Sequence, residues 1–438
     1  MSSAATMIDI PLMTTAEYQA KLEQCIHCGM CLEACPTYPV FGTEMDSPRG
    51  RIALMRGVAE GEIPADDPTF KTHIDRCLGC LACEPACPSG VDYRVLIEGA
   101  RQTVEQHRTP GPIERLVRWI GLRQLMPHLG RLRLMAALML LYQWSGAQFV
   151  VRRLGVLPPT LAAMEAILPP LTPHRRDDRK PFPARGQRRG RVAFLRGCIQ
   201  EAFLGQANDA TIRVLQRNGY EVLVPQLQTC CGAAQIHAGD EHAAKALARA
   251  NIDAFLALDV DAVICNAGGC GMVLKDYGHL LHDDANYRAR AHMFSSTVQD
   301  VTEFLAAHLH TPPTGSLPLR VTYVDSCHLR NGQRVVNQPR ALLRAIPGLE
   351  LIELAHADRC CGSAGTYNIT QPSTANTLLA DKTADILATG ADAVAVTNTG
   401  CHLQVIAGLR QAKPNLPVLH IVELLDRAYA TTEPKVRR

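Results

Sequence analysis

The sequence predicts a multidomain chain of mixed α+β and α/β class: a small helical domain, then two α/β lobes related by a pseudo-twofold axis. Three observations predict it. A four-cysteine run closed by Cys-Pro occurs twice within the first ninety residues. A proline-rich, basic stretch, "PPLTPHRRDDRKPFPARGQRRGR", then interrupts the chain. Beyond it, short apolar runs alternate with helical ones, and the cysteine pattern repeats itself. Strands that alternate with helices imply parallel sheets. The expected domains are residues 1–105, a helical connector and basic linker over 106–190, and lobes over 191–312 and 313–438.

At 438 residues the chain is too long for one ordinary core. Its 47% hydrophobic and 20% charged residues fit a folded chain rather than a disordered one. A net charge of +3 gives no drive toward nucleic acid, and none is expected as a partner. The start, "MSSAATMIDIPLMTTAEY", has no basic residues leading into an apolar core and does not read as a secretory signal. A cytoplasmic, reducing compartment is therefore expected, where seventeen cysteines serve metal or redox chemistry rather than disulfides. The most apolar run, "LMAALMLLYQW" at 134–144, falls short of the roughly 20 residues of a membrane helix. It reads as a packed helix. The second reading is an interfacial helix, which would place the protein on the inner face of the cell membrane.

In the first domain, Cys25, Cys28, Cys31 and Cys35 precede Pro36, and Cys77, Cys80, Cys83 and Cys87 precede Pro88. Both runs read C-x2-C-x2-C-x3-C-P, the bacterial ferredoxin pattern, in which the fourth cysteine ligates the other cluster. Cys25, Cys28, Cys31 and Cys87 are thus assigned to one 4Fe–4S cluster, and Cys77, Cys80, Cys83 and Cys35 to a second. Three thiolates two residues apart wrap one face of a cubane, and Gly29 and Gly79 let the backbone approach it. Zinc sites usually pair two C-x2-C knuckles instead. His27 reads as a spacer. Arg49, Arg51, Arg76 and Arg94 flank the runs, either tuning cluster charge or lying on the surface. Between the runs, "SPRGRIALMRGVAEGEI" reads as a helix starting at Ser47, with Ile52, Met55 and Val58 on one side.

The 92–170 region reads as mostly helical, and the basic stretch after it as a solvated linker. In the second half, "RVAFLRGC", "YEVLVPQ" and "DAVICNAGG" read as strands. "HAAKALARANIDAFLAL" places Ala243, Leu247, Ala250, Ala254 and Leu258 on one helical stripe. Cys198 is followed by Cys230 and Cys231 in "CCGAAQ" and by Cys270 in "NAGGCGMVL". Cys327 is followed at almost the same spacings by Cys360 and Cys361 in "CCGSAG" and by Cys401 in "TNTGCHLQV". Each set is expected beyond the carboxyl ends of its strands, where ligands collect in open α/β sheets. There it would serve metal or thiol redox chemistry, binding a further cluster or zinc. Cys265 lacks a counterpart and reads as core, and His402 as a hydrogen-bond donor or surface group.

These CCG lobes resemble the cysteine-rich domains of heterodisulfide reductase and related hydroxyacid dehydrogenase subunits. With "CIHCGMCLEACPTYPVFGTEMDSPRGRI", "DRCLGCLACEPACPSGVDY", "CCGSAGTYNIT" and "GCGMVLKDYG", the chain resembles the iron–sulfur subunits of bacterial glycolate oxidase over about residues 20–430. One departure is that Ala267 and Asn398 stand where the reductase motif has another cysteine. The resemblance implies a helical dicluster ferredoxin domain followed by two CCG lobes. It also implies an electron-transfer subunit whose flavin-binding partners oxidise glycolate to glyoxylate, with quinone or another acceptor downstream. No flavin or NAD is expected on this chain, since no complete G-x-G-x-x-G follows a strand. The alternatives are a subunit serving lactate or glycerol-3-phosphate oxidation, and a thiol–disulfide reductase.

Overall fold

The computed structural model describes residue 13, residues 15–174 and residues 176–431. Most of the stretch read for a secretory signal lies outside these residues, as does Arg175 of the linker. The chain forms two compact units, one of residues 1–111 with 235–241, the other of residues 112–234 with 242–438.

The first unit is helical, with no strand among its described residues. Its helices include Ala16–Glu23, Pro48–Ala59, Pro68–Asp75 and Tyr93–Gln106. The helix Pro48–Ala59 begins where its sequence directs. The Ser47 hydroxyl accepts the Gly50 N–H at 3.0 Å, and Pro48 occupies the first turn, where no N–H is needed. Ile52 and Met55 are buried and Val58 is half-buried, on the expected side.

In the second unit, strands β1 (Gly190–Leu195), β2 (Tyr220–Leu223), β3 (Ala262–Cys265) and β4 (Val298–Asp300) form a parallel sheet of order β2-β1-β3-β4. Strands β5 (Arg320–Tyr323), β6 (Glu350–Ile352), β7 (Ala393–Val396) and β8 (Val418–His420) form a second of order β6-β5-β7-β8, the same topology. One buried core joins the two sheets, with Phe194, Val222 and Ile264 from the first and Val321, Tyr323 and Leu419 from the second. Arg213 and Asp426 pair across the lobes at 2.7 Å. The repeat extends to helix caps. Asp300 and Glu303 make a capping box after β4, and His420 and Glu423 make one after β8.

Three expectations are corrected. The helix Glu241–Leu256 buries Ala244, Leu247, Ala248, Asn251, Ile252 and Phe255, a face rotated from the predicted stripe. The polar Asn251 hides that face in the sequence. It is buried because its amide bonds the Cys230 carbonyl and the Thr229 N–H. The basic stretch before β1 is no free linker. Asp178 is buried there and takes Arg176 at 2.5 Å and Arg196 at 2.9 Å, while Arg176 also pairs with Glu201 and Asp209. Arg176 and Asp178 thus bind the stretch to the first lobe, while Asp177 and Arg179 stay exposed. The helix Leu129–Trp144 forms, but it is not a packed helix. Leu132 alone is fully buried, while Leu134, Leu138, Leu141 and Trp144 are exposed.

His420 gives the second unit an acid limit. Its Nε2 donates to the Asn266 carbonyl at 2.7 Å, and its Nδ1 accepts the Val422 N–H. Burial holds the ring neutral, its pKa down at about 3. The unfolded chain therefore takes up this proton first, near the usual pKa of about 6.5. The stabilisation is full above that value and is lost as pH falls through it toward 3. We predict that His420→Asn costs about 1 kcal/mol at pH 7 but flattens the loss of stability on acidification. Urea midpoints at pH 7 and pH 5 check this; equal slopes in both proteins would contradict it.

Candidate metal centres

The two cysteine runs fold around two hollows in the first unit. Cys25, Cys28, Cys31 and Cys87 line the first, an open space of about 410 Å³, with Cys83 at its inner side. Cys77, Cys80, Cys83 and Cys35 line the second, of about 280 Å³. Each hollow thus takes in the last cysteine of the other run beside three of its own, and the first also touches Cys83. Cys83, Pro48 and Tyr93 line both and so stand between them. The two differ in exposure. Cys28 is exposed, whereas Cys35, Cys77 and Cys83 are buried. Gly29 and Gly79 take φ of +85° and +66°, a left-handed conformation that glycine adopts without strain.

The donor set fits a polynuclear metal group. Burial and the neighbouring thiols push Cys83 well above the usual thiol range. Such thiols lose their protons together only when cations sit among them.

In the lobes, every cysteine of the repeat lies past the carboxyl end of a strand. Cys198 and Cys327 follow β1 and β5, and the Cys-Cys pairs follow β2 and β6. Cys270 and Cys401 sit in the first turns of the helices Gly268–Lys275 and Thr399–Ala412, after β3 and β7. The thiols meet in sequence. Cys198 lies 3.5 Å from Cys230, and Cys231 bonds both Cys230 and Cys270, which hold its pKa below the usual range. In the second lobe Cys327 meets Cys360, and Cys361 meets Cys360 and Cys401. The glycines after the pairs, Gly232 and Gly362, have φ of +89° and +81°, which explains the third letter of the motif.

Residues 21–91 match the family described as "4Fe-4S dicluster domain", and residues 192–275 and 321–406 match "Cysteine-rich domain". Residues 113–168 match "Glycolate oxidase iron-sulfur subunit, linker region". The "Probable glycolate oxidase iron-sulfur subunit" of Bacillus subtilis is 42% identical over 94% of both chains. The chain belongs to the glycolate oxidase iron–sulfur subunit family. The "Glycolate oxidase iron-sulfur subunit" of Escherichia coli is 34% identical over 94% of this chain and 95% of its own. "Lactate utilization protein A" of an Exiguobacterium strain is 29% identical over 54% of this chain and 96% of its own.

The "MDSPRGRI" stretch has a physical basis here that composition alone conceals. Asp46 is fully buried and takes Arg51, His73 and Arg76 at 3.4, 2.9 and 3.0 Å. Burial pushes its carboxyl up, but the His73 and Thr43 bonds and the cations hold it below the usual range. Arg51, also buried, lines the second hollow and donates to Thr37, whose hydroxyl lies 3.3 Å from the Cys35 sulfur. Arg49 lines the first hollow and donates to the His27 carbonyl. A Cβ at Gly50 would collide with the Glu44 carbonyl. Of the four flanking arginines, Arg49 and Arg51 therefore reach the hollows. Arg76 instead stacks on Phe41, and Arg94 bonds Glu84 through its backbone N–H.

Sequence reasoning missed three residues. Tyr93, between the hollows, has its hydroxyl 3.7 Å from the Cys77 sulfur. Its one signal is the GVDY that closes the second run. Arg101 donates to the Cys77 carbonyl at 2.6 Å and meets His237; helical spacing gives no hint of that. Asn398, at the departure from the reductase motif, donates to the Cys401 sulfur and accepts the Gly269 N–H of the other lobe. It supports a thiol rather than supplying one. Cys265 is buried as expected and also bonds Cys270. His402 is buried, and its Nε2 donates to the Val418 carbonyl, the donor role expected.

The lining of the hollows yields a prediction for ligation. Replacing Cys35 with Ser should damage the centre associated with Cys77, Cys80 and Cys83 and leave the other intact. Electron paramagnetic resonance of the reduced protein distinguishes them. Loss confined to the centre of Cys25, Cys28 and Cys31 would mean that each run keeps its own fourth cysteine.

Proposed function

We propose that this chain is the electron-transfer subunit of a glycolate dehydrogenase complex, in which flavin-binding partner subunits oxidise glycolate to glyoxylate. The observation that carries this reading is the pair of adjoining hollows, the first lined by Cys25, Cys28, Cys31 and Cys87 with Cys83 shared, the second by Cys77, Cys80, Cys83 and Cys35. Two 4Fe–4S clusters bound there supply one-electron carriers. In this reading Cys25, Cys28, Cys31 and Cys87 hold the first, and Cys77, Cys80, Cys83 and Cys35 the second.

The protein's own residues have separable tasks. Cys28, with the exposed Ile26 and Met30 beside it, makes the first site the point where a partner can approach. Arg51 places a buried positive charge beside the second site and stabilises thiolate charge there. Tyr93 packs between the sites and excludes water from the space separating them. The thiol sets of Cys198, Cys230, Cys231 and Cys270, and of Cys327, Cys360, Cys361 and Cys401, are proposed to bind a further cluster or zinc. Quinone or another acceptor takes the electrons, and the complex sits in the cytoplasm, peripheral to the inner face of the cell membrane. Lactate is the second substrate reading, favoured by the similarity to lactate utilization protein A. The choice belongs to the flavin partner.

Anaerobic co-expression with the flavin-binding subunits tests the proposal. The purified complex should contain about eight irons per copy of this chain for two cubane clusters, with more iron if the lobes are loaded. Glycolate should bleach the cluster absorbance only when the flavin-bearing chains are present. Bleaching of this chain alone by glycolate, or a metal-poor, colourless preparation, would refute the reading.

A further inference from the structure

Residues 113–164 hold fifteen of the twenty-one exposed large apolar side chains among the described residues. Ordinary soluble surfaces scatter such residues singly, and a contiguous cluster marks an interaction surface. In the helix Leu129–Trp144, the exposed Leu134, Leu138, Leu141 and Trp144 follow a spacing of four, three and three, so they share one face. After a turn at Gly146 the chain continues as the helix Ala147–Leu154, which exposes Phe149 and Leu154.

This face is held outward by what lies behind it. Leu132 is buried, Arg133 pairs with Glu201 of the first lobe at 2.7 Å, and the Gln143 amide bonds the backbone of Pro169 and Leu171. The helices are therefore docked on one side and bare on the other.

Charge and aromatic content select the occupant. Residues 113–168 contain seven arginines and two glutamates, with no lysine or aspartate. Both tryptophans of the chain, Trp119 and Trp144, are here, 48% and 69% exposed. Apolar side chains among arginines, with tryptophan at the boundary, suit the headgroup region of a bilayer with anionic lipid. Among the described residues no single helix is long and apolar enough to cross, and the helices Leu129–Trp144 and Ala147–Leu154, which reach that length and hydropathy only together, are bent by 77° at Gly146 rather than continuous.

We infer that residues 113–164 form a monotopic membrane-binding surface that lies in the interface of an anionic bilayer, with Leu134, Leu138, Leu141, Trp144, Phe149 and Leu154 inserted. The inference rests on the peripheral placement proposed above. Its test reads lipid binding rather than electron transfer, so it can fail while the electron-transfer reading stands.

The full chain, cluster-loaded and anaerobic, is floated with vesicles of phosphatidylglycerol and phosphatidylethanolamine, and with phosphatidylcholine vesicles as a control. It should float with the anionic vesicles, more weakly as salt rises, and its tryptophan emission should shift to the blue. Because both tryptophans lie in the segment, that shift reports insertion without any mutation. The double variant L138E/L141E changes two exposed positions and should lower anionic-vesicle binding by about tenfold or more, with cluster absorbance unchanged. Absence of flotation together with unshifted emission overturns the inference. So does a variant that still floats but no longer assembles with the co-expressed flavin subunits, since the surface would then be a protein interface.

Discussion

The constraint on which the first unit depends is the repulsion among eight thiol groups gathered around two adjoining hollows. Deprotonated, they would crowd negative charge together, on Cys35, Cys77 and Cys83 in the buried interior, without cations among and beside them. The helix Pro48–Ala59 answers part of that demand from the protein side. It delivers Arg49 to one hollow and Arg51 to the other, with Pro48 between. Arg51 is itself held by Asp46, Thr37 and the His73 carbonyl, so its charge cannot swing out to solvent. A buried carboxylate ringed by two arginines and a histidine would be a costly feature in a core with no further purpose. Here it orients the arginine that faces the thiols.

The two lobes show how a repeat keeps its geometry while its chemistry diverges. Strand order, the thiol sequence and the left-handed glycines are shared. The surroundings are not. Behind the first pair, Asn251 and Tyr277 bond the backbone of Cys230 and Cys231. Behind the second, the buried Lys382 lies in the field of Cys360 and Cys361, and burial lowers its pKa. One thiol set thus has neutral dipoles at its back and the other an ammonium group. The caps differ likewise: burial raises the Asp300 carboxyl to about 6 and keeps the equivalent His420 neutral.

Where a function fixes spacing, the sequence was legible. The eight cysteines of the first unit and the eight of the lobes were readable because metal or thiol chemistry demands fixed intervals. The parallel lobes were readable because strands and helices alternate. Asn251 hid a buried helix face because hydrogen bonding rather than hydrophobicity put it there. The stretch with Arg176 and Asp178 looked like a solvated linker because long-range ion pairs leave no local period. The helix Leu129–Trp144 looked like core because apolar composition says nothing about which surface covers it. Arg101 and Tyr93 were invisible for the related reason that their partners are distant in the chain.

Residues 235–241 distinguish the first lobe's chain from the second's. This short segment belongs to the first compact unit although its neighbours on both sides belong to the second. It begins four residues after Cys231, and its His237 meets Arg101, whose other nitrogen holds the Cys77 carbonyl. A Cβ at Gly239 would crowd the backbone of Arg101, so the segment is seated close against the helix Tyr93–Gln106. The second lobe's Cys-Cys pair is followed instead by Ser363 and the helical turn Tyr367–Thr370, within its own unit. Thus the repeat is symmetric in its thiols but not in the chain that follows them: after the first lobe's pair comes a segment of the first unit, and after the second lobe's pair the chain stays within its own unit.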